Sequence, residues 1–186
     1  MVTLVVCGIL EQEVKAVIPE GCAVIILPPG LCIHPAQLKE ELVHTLGEIE
    51  NSKIVVYGRC FPEINVVCKK HAAERIEGEN CYEIIAGDRY SQLLAEEPGT
   101  YFLLPQLCER FEELTRELSM EKMKDLYFKN YRRCIFLDTG VPHSRECSKI
   151  AEELGLPYLK EYTGTENLEK KLKDLLNKES VHEAHR

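Results

Sequence analysis

The stretch KIVVYGRC, Lys53–Cys60, decides the fold. Its apolar residues run on without alternating, and that pattern belongs to a strand covered on both faces, as in a parallel sheet flanked by helices. A glycine follows at Gly58, and a cysteine stands just beyond it. The N-terminus repeats the arrangement, with an apolar run over Val2–Gly8 that carries Cys7 at its end. Working outward, further strands are predicted over Ala23–Leu27, Thr100–Leu104 and Arg133–Leu137, with a weaker one over Tyr158–Tyr162.

Helical patterns lie between them. Pro35–Ile49 places proline in the first turn and Leu38, Leu42, Val43, Leu46 and Ile49 at helical spacing. Further helices are predicted over Glu63–Ala73, Leu107–Leu118, Met120–Lys129, Ser144–Leu154 (stopped by Gly155) and Glu166–Leu176. Gly78–Gly87 reads as the least regular part of the middle. Strands separated by helices imply βαβ units. The predicted fold class is therefore α/β: a single doubly wound, mostly parallel sheet with helices on both faces, Rossmann-like. Residues 1–177 form one domain in this reading, and residues 178–186 form a polar C-terminal tail.

A chain of 186 residues buries enough surface, roughly 70% of what the unfolded chain exposes, to need no disulfide scaffold. The formal net charge of −8 argues against a broad nucleic-acid footprint. No apolar run reaches membrane-spanning length, and the N-terminus lacks the basic flank of a signal peptide. The expectation is a cytoplasmic protein with no membrane or nucleic-acid partner. In that setting the nine cysteines are expected to stay unpaired. Cys22, Cys68, Cys108, Cys134 and Cys147 fit the role of small core residues.

In an open α/β sheet, ligands bind beyond the carboxyl ends of the strands. Cys7 and Gly8 fall there after the first strand, Cys32 and His34 after the second, and Gly58 and Cys60 after the third. Three thiolates with an imidazole or a fourth thiolate would suit a tetrahedral zinc ion or part of an iron–sulfur site. Cys81, in GENCYE, stands between Glu79 and Glu83, which could support it or cap a helix. Arg132, in NYRRC, could bind an anionic group or end a helix. Neither a CxxC pair nor HExxH, GxGxxG, a P-loop or GxSxG is present. A metal-free alternative pairs Cys60 or Cys81 with His34 or His143 in thiol hydrolysis.

The ordered set CGIL (7–10), VYGRC (56–60), GENCYEIIAG (78–87), EPGTYFLLPQL (97–107) and LYFKNYRRCIFL (126–137) resembles domain-of-unknown-function family 1638. The resemblance covers about Val5 to Thr163. It implies that Cys7, Cys60 and Cys81 match the family's three cysteines, along with Gly8, Tyr57, Gly58, Tyr82, Glu83, Gly87, Pro98 and Gly99. Cys32 takes the place of a family histidine, with His34 two residues later; Phe61 replaces a glycine, and Asn80 a histidine. A Cys-for-His exchange keeps metal-ligand character. The implied site is therefore Cys7, Cys60 and Cys81 completed by Cys32 or His34, supported by Tyr57, Gly58 and Glu83, with Arg132 as an anion binder. Zinc is the first expected metal and an iron–sulfur cluster the second. The resemblance also implies corrinoid-linked methyl transfer in anaerobes, with a corrinoid protein or methyltransferase as partner. The alternative is a non-catalytic accessory protein whose cysteines lie only in the core.

Overall fold

The computed structural model describes residues 1–117, 126–144 and 146–184. It is an α/β structure in which every strand pairing is parallel. The strands are β1 (Val2–Cys7), β2 (Ala23–Leu27), β3 (Ser52–Val56), β4 (Ala73–Arg75), β5 (Thr100–Leu103), β6 (Arg133–Asp138) and β7 (Tyr158–Tyr162). The helices are α1 (Glu11–Val17), α2 (Pro35–Glu48), α3 (Ile64–Lys70), α4 (Cys81–Ala86), α5 (Asp88–Glu96), α6 (Pro105–Glu109), α7 (Phe111–Glu117), α8 (Cys147–Leu154) and α9 (Glu166–Ala184). Short 3-10 turns follow β1 and β2, over Gly8–Leu10 and Leu31–Ile33.

The single expected sheet is two sheets, a four-stranded one ordered β2-β1-β3-β4 and a three-stranded one ordered β5-β6-β7. The apolar runs that identify strands carry no information on which strand each will pair with. After the three-residue β4, the chain continues through α4 and α5, and β5 then starts a new sheet. The two sheets still share a core, because Phe102, Leu104, Ile135 and Leu137 belong to the same buried cluster as Leu4, Val6, Ile54 and Val56. Leu103, Cys134 and Phe136, one residue out of phase, form a second cluster with Cys108, Phe111, Cys147 and Ile150. The second sheet is thus covered on both faces, as its unbroken apolar runs require.

Other differences are local. GENCYE is not irregular: Asn80 caps α4, its side chain accepting the backbone N–H of Glu83 at 2.9 Å. Leu107–Leu118 is not one helix but α6 and α7 with a break at Arg110. Val43 turns outward on α2, while Leu38, Leu42 and Leu46 turn inward. The last helix runs on to Ala184, past the expected end at Leu176. Most of the helix expected over Met120–Lys129 lies outside the described residues; Leu126 and Tyr127 are helical. Two of the cysteines expected to be unpaired, Cys108 of α6 and Cys147 of α8, form a disulfide with Cα atoms 5.6 Å apart. Both helices pack on the same face of the second sheet, which brings together two thiols 39 residues apart in sequence.

Candidate thiol site at the strand ends

The first sheet reverses direction at β1. The chain leaves β1 for β2 on one side and later places β3 on the other. Sheets of this order bind ligands in the crevice at the carboxyl ends of the two strands flanking the reversal. Here those ends carry Cys7 and Tyr57. Val6 is level with Val56, so the two residues that follow stand side by side. Cys7 is also level with Leu27, which brings the loop bearing Cys32 alongside.

Two glycines let these loops close on one another. A Cβ on Gly8 would stand 2.7 Å from the nitrogen of Pro29, in the Cys32 loop. A Cβ on Gly58 would stand 2.5 Å from Asn80 Cα and 2.7 Å from the Glu79 carbonyl oxygen. The Gly58–Cys60 turn and the segment leading into Cys81 are therefore in backbone contact, fastened by the Arg59 N–H donating to the Glu79 carbonyl at 2.8 Å. Arg75, at the end of β4, ties the same two segments again. Its Nη1 donates to the carbonyls of Tyr57 (2.8 Å) and Gly78 (2.9 Å), while its Nε donates to Asn65 Oδ1 (2.8 Å).

The consequence is that Cys7 at the end of β1, Cys32 in the turn after β2, Cys60 in the loop after β3 and Cys81 at the start of α4 all interact electrostatically with one another. All four are free thiols. Burial is the largest influence on each and pushes each thiol up: Cys7 to about 12, Cys60 to about 11, Cys32 in the same direction and Cys81 well above its ordinary range. Mutual repulsion adds to burial at Cys7, Cys60 and Cys81. The opposing influences are mostly backbone. The N–H of Ile9 donates to Cys7, that of Gly58 to Cys60, those of Cys32 and Ile33 to Cys32, and that of Cys81 to its own sulfur. Arg75 supplies the positive charge that acts on Cys60.

Tyr57 lies beneath this group, 1% exposed. Its hydroxyl is buried without a hydrogen-bond partner, although the Cys7 thiol is close enough to interact with it. Burial, then the neighbouring cysteines, raise the phenol's pKa. Tyr82, next to Cys81, stacks at 6.1 Å on Tyr90 and lies 5.6 Å from Phe102 of β5, which joins the thiol group to the second sheet.

The other predicted site residues have different placements. His34 is exposed at the residue before α2, whereas Cys7 is buried and Cys32, Cys60 and Cys81 are half-buried. Gly58 serves close backbone approach. Glu83 Oε2 accepts the Glu79 N–H at 2.8 Å, so this carboxylate finishes the start of α4. Arg132 is exposed, and its Nη1 donates to the carbonyls of Lys129 (3.1 Å) and Tyr131 (3.4 Å). His143 packs its ring on Phe136 of the second sheet, 5.0 Å between centroids, away from the first sheet's strand ends. Sequence reasoning missed Arg75, whose surroundings in AERIEG carry no motif. It also passed over Asn80 with Glu83 three residues on, a readable helix-start signature.

Among the described residues, no group of three or more His, Cys, Asp or Glu side chains is arranged to hold a metal ion as it stands. An open groove of about 910 Å³ runs along β4, from Asn51 and Lys53 at the start of β3 past Cys68 and Glu74 to Arg75 and Glu77. It touches none of the four clustered thiols. No described helix is long and apolar enough to cross a membrane.

Fold and site define a parallel α/β protein with a thiol cluster at the switch point of its first sheet. The chain belongs to the family described as a protein of unknown function, DUF1638, whose profile matches residues 26–172. The match takes in Cys32, Cys60 and Cys81 and begins after Cys7. No curated protein and no solved structure matches the chain.

Proposed function

We propose that this is a metal-binding protein whose centre is held by the thiolates of Cys7, Cys32, Cys60 and Cys81. The observation behind the reading is that the four thiols lie near enough at the strand-end rim to influence one another electrostatically, and each faces a backbone N–H. Such N–H groups favour the anionic form, yet burial keeps the thiols protonated while no cation is bound. A soft metal removes that conflict by displacing the protons and supplying the charge. Thiol hydrolysis needs the opposite, a lowered thiol pKa beside a base, and is the weaker reading.

In this reading Cys32, not His34, is the fourth ligand. Arg75 offsets part of the negative charge, and the Tyr57 hydroxyl gains an acceptor in a neighbouring thiolate. Corrinoid-linked methyl transfer would further require a coordination position open to the methyl-bearing group. It rests on the family resemblance alone.

Elemental analysis of protein purified without oxygen, and without an affinity metal, tests the proposal. Wild type should carry or take up metal. Cys7→Ser, Cys32→Ser, Cys60→Ser and Cys81→Ser should each lose it, while His34→Ala should retain it. A wild-type chain that neither carries metal nor binds it on reconstitution would sink the proposal.

A further inference from the structure

We infer that the open edge of β2 is a dimer interface, at which β2 of a second copy of this chain pairs antiparallel about a two-fold axis. β2 reads AVIIL, an unbroken apolar run of the kind that belongs to a strand covered on both faces. β1 and β3 answer to that pattern, with residues 3–7 and 54–56 buried. β2 does not: Val24 and Ile26 on one face are half-buried, and Ile25 on the other is 36% exposed. β2 also ends its sheet, with β1 on one side and, among the described residues, no strand on the other. Its outer edge therefore combines half-covered apolar faces with a row of backbone N–H and C=O groups turned away from β1, a template for another strand.

Proteins guard such edges with short strands, charged side chains or a covering element. The other three edge strands follow that rule. β4 has three residues, two of them Glu74 and Arg75. β7 carries Lys160 and Glu161, ion-paired to Asp138 and Arg89. β5 is buried at Thr100, Phe102 and Leu103. β2 has five residues and none of these guards: no Asp, Glu, Lys or Arg occurs from residue 21 to residue 38, in a chain that is 29% charged. Prolines at 19, 28 and 29 bound the strand without entering it. Charge also points to the occupant. A formal net charge of −8 makes two copies repel across most of their surface, and this uncharged edge is where they can meet without opposing like charges. A different partner selected by charge would find nothing to read here. Under a two-fold axis centred on Ile25 the strand is its own complement: Ile25 meets Ile25 of the copy, Val24 meets Ile26, and Ala23 meets Leu27. The paired strands run in opposite directions, so the two thiol rims lie at opposite edges of the joined sheet and both stay open.

Analytical ultracentrifugation of the wild-type full chain over a concentration series should show a monomer–dimer equilibrium. Ile25→Lys sets like charges directly opposite one another at the centre of the pairing and should raise the dimer dissociation constant about a hundredfold. Val66→Lys, at a 60% exposed apolar position on α3, should leave it unchanged. Circular dichroism checks that each variant folds. Ile25→Cys supplies a second readout should Ile25→Lys fail to fold. The oxidant diamide should join two copies through residue 25, which mass spectrometry locates, because in this register that residue meets its own counterpart. A wild-type monomer throughout the series would overturn the inference. So would a dimer that survives Ile25→Lys in folded protein, or one that diamide does not join through residue 25.

Discussion

At the carboxyl edge of the first sheet, four cysteines are free thiols within electrostatic reach of one another; on one face of the second, Cys108 and Cys147 are joined beside the buried Cys134. The same residue type meets two kinds of neighbourhood. Cys108 and Cys147 lie on helices packed over an apolar layer of Leu103, Phe136 and Ile150, where a disulfide is simply more core. The rim cysteines lie at the ends of strands and in tight loops, where backbone N–H groups are not consumed by a helix or sheet ladder and turn toward sulfur. Cysteine count is therefore a poor guide to role. What separates the two groups is the availability of backbone donors, which strand ends offer and packed helices do not.

The largest expected effect breaks the second region and spares the first. Removing the disulfide with Cys108→Ala and Cys147→Ala frees a 39-residue span, for which chain entropy predicts a loss of about 4 kcal/mol. Urea unfolding measures it. Metal uptake by folded protein should be unchanged, and a loss of both together would mean the two regions are not independent.

Gly58→Ala attacks the first region through its backbone. The new Cβ must push Asn80 and Glu79 away, at a cost of about 1–3 kcal/mol by the usual scale of overpacking. Metal binding should fall further than stability does, because the displaced segment carries Cys81. Equal, small effects on both would show that the close approach is incidental. Arg75→Met should cost about 2 kcal/mol, since two buried-side carbonyls lose a charged donor. In the metal-free protein it should also slow alkylation of Cys60, from which it withdraws a favourable charge. Mass spectrometry after iodoacetamide treatment reads both this and the wild-type baseline. All four rim thiols should react slowly near neutral pH and faster as pH rises toward about 11. A single thiol that reacts rapidly at neutral pH would revive the hydrolase reading.

The smallest effect concerns the seam between the regions. Glu13 of α1 is 0% exposed; its Oε1 accepts the Thr139 hydroxyl, beyond β6, at 3.0 Å, and its Oε2 has no partner. Burial, the largest influence, raises this carboxyl's pKa. The folded protein therefore holds the proton more tightly than the unfolded chain does. That contribution to stability is complete below the unfolded pKa and is lost as pH rises through the folded one. Glu13→Gln should flatten the decline above the ordinary carboxylate range while changing stability at low pH by about 1 kcal/mol or less. An unaltered pH profile would show that the carboxyl is not the group responsible.

Much of this molecule was legible in the chain. Unbroken apolar runs identified five of the strands within about a residue, because burial leaves little choice of residue, and β7 (YLKEY), with no fully buried residue, gave the weaker signal. The three-residue β4 escaped, since AER carries no apolar run of its own. Rim placement of Cys7, Cys32 and Cys60 followed from strand order along the chain, and Cys81 was reached through the family pattern. Arg75 was invisible, because its role is defined by two carbonyls that only the folded backbone brings within reach.

The sequence by itself determined the α/β class, the parallel pairing and the cysteines that end strands, all of which follow from local periodicity and from where apolar runs stop. Tertiary structure alone decided that the strands divide into two sheets, that Cys108 meets Cys147, and that Cys32 lies with the other thiols while His34 faces water. Each of these depends on the distance between segments far apart in the chain. That distance is set by packing across the whole core, and no local pattern of residues encodes it.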